Sequence, residues 1–378
     1  MHAMPDAAQA PGPIPPAMGR LAYMTEPGSL EIREYELPEL EQGTALLEVL
    51  QTNVCGSEVH IFQGKHPLFR CGGMGHEMVG RLIGLGAGLH TDSAGTPVKI
   101  GDRIVPVYAA VCGRCENCNR GVYNACLASY HHFAKTHLRP HFHGGTFATH
   151  YHVHADQPFY RVPENVSDAA ASSANCALSQ VLHGLDRAQL ALGQTVVIQG
   201  AGGLGLSACA VARERGARVI VIDKLPARLE TAKAFGAHHV INFDEVPELT
   251  DRVKRVQQLA GAEGADVVVE VTGVPAAFAE GVHYLRPEGV YVVMGNISQG
   301  QTTPFDPALV VRKSARIVGV NRYPPKYLHQ AVAFLAGPGQ AYPFDSLVDR
   351  SFKLDETKLA IDMSARREVQ RATIFPNR

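Results

Sequence analysis

The sequence predicts an α/β protein whose second half forms a doubly wound parallel sheet. The β-branched run "TVVIQ" at residues 195–199 precedes a glycine-rich turn and a helix-like stretch. Further strand-like runs follow at 264–273, 289–295 and 315–320, with helix-like stretches between them. Strands that alternate with helices in this way form a parallel sheet covered on both faces. The chain has 378 residues, which exceeds the usual size of a single domain. We therefore also expect a second domain.

The turn after the first strand has the pattern G-x-G-x-x-G in the segment "GAGGLG". A helix-like stretch follows from Leu204 to about Arg215, and the run "RVIVID" ends at Asp223. Glycines between a strand and a helix permit a tight turn and let a pyrophosphate approach the helix N-terminus. The pattern is strong evidence only in this strand–turn–helix context, with an acidic residue about 20 positions later. A glycine-rich turn that binds no nucleotide is the alternative.

The acidic strand end favours NAD over NADP. A carboxylate there can accept hydrogen bonds from both ribose hydroxyls, and it would repel a 2′-phosphate. Lys224 and Arg228 lie beside it and weaken this preference. The residues expected to contact the cofactor in this half are Gly200, Gly202, Gly203, Leu204, Gly205, Asp223, Lys224 and Arg228.

Composition gives no support to nucleic acid or membrane as a partner. The formal net charge is −1, so no basic surface is indicated. No apolar run approaches the ~20 residues that a membrane helix needs. The segment at residues 1–20 is rich in Pro and Ala, lacks the regions of a signal peptide and is predicted to be a flexible tail. We therefore expect a cytoplasmic protein.

Half of the eight cysteines lie in the segment "VCGRCENCNRGVYNAC" at residues 111–126. Thiolates at C-x2-C spacing can close on one tetrahedral ion, and four thiolates form a closed structural zinc site. An iron–sulfur cluster also uses C-x2-C-x2-C, but the fourth cysteine here comes seven residues later, without a following proline. A disulfide pair is disfavoured in a reducing compartment. The zinc ligands predicted here are Cys112, Cys115, Cys118 and Cys126.

A second group of candidate ligands is scattered along the first half of the chain. Cys55, His76 and Cys176 are each flanked by glycine or small residues. Two cysteines and one histidine suit zinc, and three protein ligands leave a fourth position open for water or substrate, as in catalytic sites. Glu77 could lie beside the metal or bind it transiently. The alternative is that each cysteine is an ordinary core residue and the histidine a hydrogen-bonded polar residue.

Ser57 and His60 follow the first of these cysteines by two and five residues. A hydroxyl followed by an imidazole can carry a proton from a bound alcohol to bulk water. We therefore interpret them as candidate catalytic residues.

Together these segments resemble the zinc-dependent medium-chain alcohol dehydrogenases, from about Leu21 to near the C-terminus. The matching segments are "CGSEVH", "GHE", "GDRIV", the four-cysteine segment, "GGTFATHYHV", "NCAL" and "GAGGLG". The resemblance implies a mainly β, GroES-like catalytic domain at 21–185 and 325–378. A Rossmann dinucleotide-binding domain at 186–324 would interrupt it.

The resemblance also implies roles for individual residues. Cys55, His76 and Cys176, with Glu77 nearby, would hold a catalytic zinc, and the four clustered cysteines a structural one. Ser57 and His60 would relay the proton, Asp223 would bind the adenosine ribose, and Arg371 in "QRATIFP" would contact the pyrophosphate. The family further implies two zinc ions per chain, NAD, and a homodimer or homotetramer.

The implied reaction is reversible oxidation of a secondary or cyclic alcohol to a ketone. A polyol dehydrogenase of the same superfamily is the first alternative. A zinc-free relative that reduces an enone or quinone is another, although it would lack the three scattered ligands. A non-enzymatic nucleotide- or RNA-binding protein is the third. The stretch "TDSAGTPVKIGDRIV" resembles a bacterial subgroup that includes terpene-alcohol dehydrogenases.

Two local features stand out beside these motifs. Glu58 occupies a position where many family members have Asp, so the surroundings of the catalytic ligands could differ. Residues 131–154 contain eight of the 18 histidines, and His150, His152 and His154 alternate along a predicted strand. Alternation places all three on one face. A third metal site, a solvated strand face and the lining of a substrate cleft are the alternatives.

Overall fold

Antiparallel strands build the first part of the fold and parallel strands the second. The computed structural model describes residues 17–66, 69–129, 145–261, 263–296 and 299–378. In chain order, the strands of the described residues are β1 (Met18–Glu26), β2 (Ser29–Glu36), β3 (Ala45–Asn53), β4 (Gly72–Gly73), β5 (Glu77–Leu85), β6 (Arg103–Pro106), β7 (His150–Val153), β8 (Phe159–Arg161), β9 (Thr195–Gln199), β10 (Arg218–Asp223), β11 (His239–Asn242), β12 (Ala265–Glu270), β13 (Leu285–Val293), β14 (Arg316–Gly319), β15 (Arg350–Phe352) and β16 (Ala372–Ile374).

Helices alternate with the later strands and are short among the earlier ones. The α-helices of the described residues are α1 (Gly56–Phe62), α2 (Glu116–Asn119), α3 (Asp168–Ala171), α4 (Ser179–Ala188), α5 (Gly203–Glu214), α6 (Pro226–Ala234), α7 (Leu249–Ala260), α8 (Pro275–Tyr284), α9 (Ala308–Lys313), α10 (Lys326–Ala336) and α11 (Thr357–Ala365). Pro226 and Pro275 occupy the first turns of their helices, where a missing N–H does no harm.

The C-terminal residues return to the sheet formed by the first part of the chain. Within the described ranges, a seven-stranded sheet has the order β15-β16-β3-β5-β6-β8, with β7 also paired to β3. The pairing of β16 with β3 joins Thr373 to Asn53. A smaller sheet of the described residues has the order β2-β1-β4. The chain therefore leaves its first sheet, forms a separate parallel sheet, and comes back.

The parallel sheet has the strand order β11-β10-β9-β12-β13-β14 in the part of the chain that the structure describes. This order reverses direction between β9 and β12, and ligands of such sheets bind beyond the carboxyl ends of the strands at that point. The doubly wound α/β prediction is confirmed. The helix predicted from Leu204 to about Arg215 is α5, Gly203–Glu214.

Alternate residues of the central strands pack into two apolar clusters on opposite faces of this sheet. Val196 and Ile198 of β9 belong to a cluster that includes residues of α4, α5 and α10. Val197, between them, belongs to a cluster that includes residues of α7 and α8. Because both faces are covered, every residue of the strand is buried and its three central residues are all apolar.

Three sequence expectations differ in detail from the observed elements. β1 begins at Met18, inside the predicted tail, and residues 1–16 lie outside the described ranges. Helix α4 extends across the predicted domain junction at residue 186. Strand β7 ends at Val153, so His154 lies beyond it, and His152 is buried, which rules out a solvated face there. Much of the histidine-rich stretch, residues 130–144, is outside the described residues.

No helix in the described part of the chain combines the length and apolar character needed to cross a membrane.

Candidate active site

Four candidate ligands from three distant segments meet at one point. Cys55 lies directly before α1, two residues after the end of β3. His76 and Glu77 lie where β5 begins, and β5 pairs with β3 there. Cys176 lies in a single π-helical turn at residues 174–178. One ligand atom of each of the four residues lies within 4.8 Å of the others. The sheet pairing thus brings together residues that are up to 121 positions apart.

The distances within this group fit one tetrahedral zinc ion. Cys55 Sγ lies 3.9 Å from Cys176 Sγ, and His76 Nε2 lies 3.2 Å from the same sulfur. Ligands at a zinc–sulfur distance of about 2.3 Å are about 3.8 Å apart at the corners of a tetrahedron. Sulfur and imidazole nitrogen are also the donor atoms that zinc prefers.

The pKa values of the two thiols shift in opposite directions. The hydrogen bond from Cys176 lowers the pKa of Cys55 well below its ordinary value, although burial opposes this. The same contact, together with burial, raises the pKa of Cys176 well above its ordinary value. Two adjacent buried thiolates would repel each other. A divalent cation between them would let both ionise, which is a further reason to assign a metal to this group.

Glu58 orients the histidine ligand. One carboxylate oxygen contacts His76 Nδ1, and the other accepts a hydrogen bond of 2.9 Å from the backbone N–H of Cys55. The carboxylate is buried. Because Nδ1 is held in this way, Nε2 faces the sulfur atoms, an arrangement common among metal-binding histidines. Glu58, the departure noted in the sequence, therefore has a definite structural role.

Glu77 connects the ligand group to Arg371, 294 positions away. Arg371 Nη1 donates a hydrogen bond of 2.9 Å to Glu77 Oε2, and Asn53 Nδ2 lies 3.3 Å from the same oxygen. The other oxygen, Oε1, is buried and has no hydrogen-bond partner among the described residues. Burial raises the pKa of Glu77 to about 7, against the opposing effect of Arg371. An unpaired buried oxygen near the sulfur atoms fits a group that approaches a metal.

The four clustered cysteines form a second, closed group. Their sulfur atoms all lie within 4.8 Å of one another. Cys126 Sγ lies 3.5 Å from Cys112 Sγ and 4.0 Å from Cys115 Sγ. Backbone N–H groups, first that of Leu127, lower the pKa of Cys115 to about 6, so a thiolate is available. These distances suit a single tetrahedral ion rather than a cluster. Each of the eight cysteines is a free thiol, which argues against the disulfide alternative.

The glycine-rich turn lies between β9 and α5 and uses each glycine differently. Gly200 has φ +103°, a conformation that favours glycine. Gly202 precedes α5 and has open space where a side chain would project. A Cβ on Gly203 would lie 2.4 Å from Arg371 Nη2, and one on Gly205 would lie 1.9 Å from the carbonyl oxygen of Gly200. Leu204 follows in the first turn of the helix.

The acidic strand end closes this turn. Asp223 accepts a hydrogen bond of 2.8 Å from the N–H of Ala201 and one of 2.9 Å from the N–H of Leu225. Burial lowers the pKa of Arg228, and the neighbouring Asp223 opposes that shift. Lys224 is exposed. The predicted acidic and basic residues therefore lie at one strand end, beside the turn.

Arg371 joins the two regions. Its guanidinium donates to Glu77 in the ligand group, and it lies against Gly203 at the start of α5. The side chain is buried. The ligand group and the glycine-rich turn thus border one another across a single side chain, as a reaction between a metal-bound molecule and a dinucleotide requires.

Comparisons with known proteins agree with this arrangement. The family model described as "Alcohol dehydrogenase GroES-like domain" matches residues 41–164, and the one described as "Zinc-binding dehydrogenase" matches 203–337. The chain is 35% identical to 5-exo-hydroxycamphor dehydrogenase of Pseudomonas putida over 91% of its own length and 95% of that protein. It belongs to the zinc-dependent medium-chain alcohol dehydrogenases. The dehydrogenase is also 27% identical to a sorbitol dehydrogenase of Bacillus subtilis, over 95% of its own chain and 98% of that protein.

Solved structures support the same assignment. An alcohol dehydrogenase from Thermotoga maritima is 28% identical, with a TM-score of 0.87 over 96% of this chain and all of that one. An alcohol dehydrogenase from a Thermus species is 26% identical, with a TM-score of 0.80 over 95% of this chain and all of that one. The dehydrogenase thus has the GroES-like and Rossmann-type architecture that the motifs implied.

The two candidate proton carriers of this dehydrogenase lie on α1, beside the ligand group. Ser57 follows Cys55 by two residues, and its buried Oγ has no hydrogen-bond partner among the described residues. His60 lies one turn later, and its buried Nδ1 has no hydrogen-bond partner among the described residues. Burial, and then the charge of Lys65, lowers the pKa of His60 below its ordinary value. The neutral imidazole is therefore the favoured form near neutral pH.

Sequence reasoning missed one buried carboxylate of the dehydrogenase. Glu270 ends β12 and accepts hydrogen bonds from the N–H groups of Thr272 and Gly273 at 2.7 and 2.9 Å. It also accepts one of 2.9 Å from Asn296 Nδ2. It therefore fixes the loops after β12 and β13, at the edge of the sheet where the turn after β9 lies. The signal was present: an acidic residue ends the apolar run "VVVE", as Asp223 ends "RVIVID".

Proposed function

We propose that this dehydrogenase oxidises a secondary or cyclic alcohol to a ketone, reversibly, with NAD as the hydride acceptor and two zinc ions per chain. The observation that carries the proposal is the convergence of Cys55, His76 and Cys176 beside the glycine-rich turn. A closed structural zinc site would not by itself indicate which reaction the protein catalyses. Three nitrogen and sulfur donors that border a dinucleotide turn support catalysis by a metal and a nicotinamide together.

Each residue of the ligand group has a proposed task. Cys55, His76 and Cys176 would hold the catalytic zinc, and Glu77 would lie beside it. When bound, zinc supplies Lewis-acid chemistry that lowers the pKa of an alcohol hydroxyl, and NAD supplies the hydride acceptor. Glu58 keeps the imidazole turned toward the two sulfur atoms. Glu77 is fully buried and therefore out of contact with water. The ionised carboxylate would interact with neighbouring charges through a medium of low polarity.

Ser57 and His60 would carry the alcohol proton outward. The hydroxyl lies next to the ligand group, and the imidazole lies one helical turn farther along α1. An imidazole that is neutral near pH 7 can accept that proton. The half-buried position of His60 lets it pass the proton on to solvent.

The pH dependence of alcohol oxidation tests this role. Only neutral His60 can accept a proton, and its lowered pKa keeps it neutral below the ordinary value of about 6.5. We therefore expect kcat/KM for alcohol oxidation to fall only at pH values below about 6.5. Lys65→Met removes a positive charge that lowers this pKa, so the fall should begin at higher pH. His60→Gln should slow oxidation by about 10²-fold.

The matched control for this experiment is His90→Gln, at an exposed histidine of the same domain. It should leave the profile unchanged. If His60→Gln retained the rate and the acid limb of the unmodified enzyme, the proton would leave by another route.

NAD is the proposed cofactor because a carboxylate, Asp223, ends β10. Arg228 lies close enough to this carboxylate to oppose it, and Lys224 is adjacent in sequence. Initial rates with NAD and with NADP under the same conditions measure the preference. We expect the larger kcat/KM with NAD.

The substrate proposal rests on a named relative. 5-exo-Hydroxycamphor is a secondary alcohol on a bicyclic skeleton, and its dehydrogenase is 35% identical to this chain. A polyol is the second candidate, favoured by the match to a sorbitol dehydrogenase over nearly the whole chain. Metal analysis, combined with a panel of cyclic secondary alcohols, polyols and enones, tests both. Two zinc ions and turnover of cyclic alcohols support the proposal. One zinc ion with enone reduction would replace it with an enone or quinone reductase that has no catalytic zinc.

The four-cysteine group is the proposed structural zinc site. Cys112→Ser should remove one zinc ion and lower the melting temperature by roughly 5 °C or more, because a closed site contributes its binding energy to folding. Zinc content and calorimetry measure both effects. Cys71→Ser, at an exposed thiol outside both groups, is the control. A Cys112→Ser protein of normal stability would argue against a structural ion.

We further propose that the protein is a homodimer or homotetramer and is located in the cytoplasm. Strand β14 lies at one edge of the parallel sheet, and Ile317 on it and Val311 before it are 38% and 78% exposed. An exposed edge with apolar side chains can pair with a second copy of the chain. Light scattering of the purified protein measures the oligomeric state. Free thiols at all eight cysteines fit a reducing compartment.

A further inference from the structure

We propose that the segment at residues 320–323 positions the Cys176 ligand and couples it to the four-cysteine group, with Tyr323 as the positioning residue. This inference rests on the proposed zinc sites. Residues 321–323 belong to none of the motifs found in the sequence.

The backbone of the 320–323 segment is held from three sides. The carbonyl oxygen of Asn321 accepts a hydrogen bond of 3.0 Å from Asn124 Nδ2, which lies between the last two cysteines of the four-cysteine group. The carbonyl oxygen of Arg322 accepts one of 2.9 Å from His183 Nδ1 on α4. The N–H of Val320 donates to Val293 at the end of β13, at 3.0 Å. Three separate parts of the fold therefore meet on four consecutive residues.

Tyr323 extends this contact to the catalytic ligands. Its hydroxyl donates a hydrogen bond to the carbonyl oxygen of Asn175, the residue directly before Cys176. Asn175 in turn donates to the carbonyl oxygen of His76 at 2.9 Å. The ring of Tyr323 packs edge-on against Tyr108, with centroids 5.6 Å apart, and Tyr108 packs against His76 at 5.1 Å. The buried side chain of Tyr323 thus supports the backbone next to Cys176 directly, and the ring of His76 through Tyr108.

The backbone at Arg322 indicates that the position of this segment is imposed by its surroundings. Its φ is +58°, a left-handed conformation that is unfavourable for a residue with a Cβ. Such conformations persist where neighbouring contacts over-determine them. Arg322 Nη1 also donates a hydrogen bond of 3.4 Å to the carbonyl oxygen of Asn124, so Asn124 is bonded both to this side chain and to the backbone just before it.

The consequence is a physical link between the two proposed zinc sites. Cys176 lies in a π-helical turn, whose hydrogen bonding is less regular than that of an α-helix. The hydroxyl of Tyr323 fixes the carbonyl of Asn175 within this turn. Without that bond the turn can shift, and the sulfur of Cys176 would be held less well against Cys55 and His76.

Tyr323→Phe tests the positioning role by removing the hydroxyl and keeping the ring. Zinc release from the fully loaded enzyme is followed with a chromogenic chelator. The site of Cys55, His76 and Cys176, called the three-ligand site below, is identified by the release phase that is missing in Cys55→Ser. Removing an outer partner of a metal site weakens metal binding by about 10–100-fold, so we expect release from this site to accelerate by that factor. Release from the four-cysteine group should be unchanged.

Tyr291→Phe is the matched control. Its hydroxyl is also buried and lies within hydrogen-bond distance of two acceptors beside the parallel sheet, Gln199 Oε1 at 2.9 Å and the carbonyl oxygen of Ala277 at 3.1 Å. Equal release rates from Tyr323→Phe and Tyr291→Phe would overturn the positioning role. If the unmodified enzyme held only one zinc ion, the proposed function itself would fail instead, so the two failures are distinguishable.

Asn124→Ala tests the coupling to the four-cysteine group. It removes the bond to Asn321, whereas Asn119→Ala removes an amide that donates a hydrogen bond of 3.5 Å to the carbonyl oxygen of Arg114, within that group. We expect Asn124→Ala to accelerate release from the three-ligand site several-fold and Asn119→Ala to leave it unchanged. Identical release from the two variants would show that the bond from Asn124 to Asn321 does not support Cys176.

Discussion

Replacing Cys55 or Cys176 with Ser, or His76 with Ala, is expected to reduce alcohol oxidation by at least about 10³-fold while the fold persists. Stabilising charge on a reacting oxygen by a metal contributes several kcal/mol, and each 1.36 kcal/mol is a factor of about ten in rate. The fold should survive because β3 and β5 pair along their whole length without the ligands. The core beneath Cys176 is likewise made of apolar side chains.

Metal analysis and circular dichroism accompany the rate measurement. Each variant should contain one zinc ion instead of two and retain the spectrum of the unmodified enzyme. Cys209→Ala provides a control at a buried thiol of α5 that belongs to neither ligand group. Near-normal turnover in a variant that had lost one zinc ion would refute the metal mechanism.

Glu58→Gln extends the same argument to the partner of the histidine. The amide keeps the size of the side chain and removes the charge that faces His76 Nδ1. A loss of zinc affinity of about 10–100-fold at the three-ligand site is expected from such a change. Equilibrium dialysis against a zinc buffer measures it.

The parallel sheet was predictable because its signals are local. The strand "TVVIQ", the glycine turn, α5 and Asp223 follow one another within 29 residues, and the contacts that define the turn lie inside that span. The spacing of the four cysteines is local too, and their sulfur atoms do converge. A short window of sequence was sufficient in both cases because chain connectivity alone brings the residues together.

Long-range contacts were not predictable in the same way. Arg371 was expected near a pyrophosphate through the family resemblance, but its ion pair with Glu77 spans 294 positions and leaves no pattern in the sequence. Tyr323 and Asn175 meet across 148 positions for the same reason. The three His residues at alternate positions illustrate the opposite error. Their spacing is local, yet β7 ends at Val153 and both of its faces are covered, which only the neighbouring strands could determine.

The glycine turn gives the second large effect, because its third glycine has no room for a side chain. A Cβ at position 205 would lie 1.9 Å from the carbonyl oxygen of Gly200, which is backbone and cannot rotate away. Gly205→Ala must therefore move α5 away from the turn. Overpacking of this kind typically costs about 1–3 kcal/mol, and here it also displaces the helix N-terminus that would face the cofactor. We expect a lower melting temperature and at least about a tenfold loss of NAD affinity.

Gly202→Ala separates binding from stability at the same turn. Its backbone, at φ −79° and ψ −169°, suits any residue, and a Cβ there meets nothing within 4 Å. The melting temperature should therefore stay within about 1–2 °C of the unmodified value, since surface substitutions usually change stability by less than about 0.5 kcal/mol. If the open space beside Gly202 is where the pyrophosphate approaches, NAD affinity should fall in this variant too, as titration of protein fluorescence or calorimetry would measure. Reduced affinity in both variants, with reduced stability only in Gly205→Ala, would assign the second glycine of the pattern, Gly202, to cofactor approach and the third, Gly205, to helix packing. Full NAD affinity in Gly202→Ala would instead move the cofactor away from this turn and leave its pattern as a packing motif.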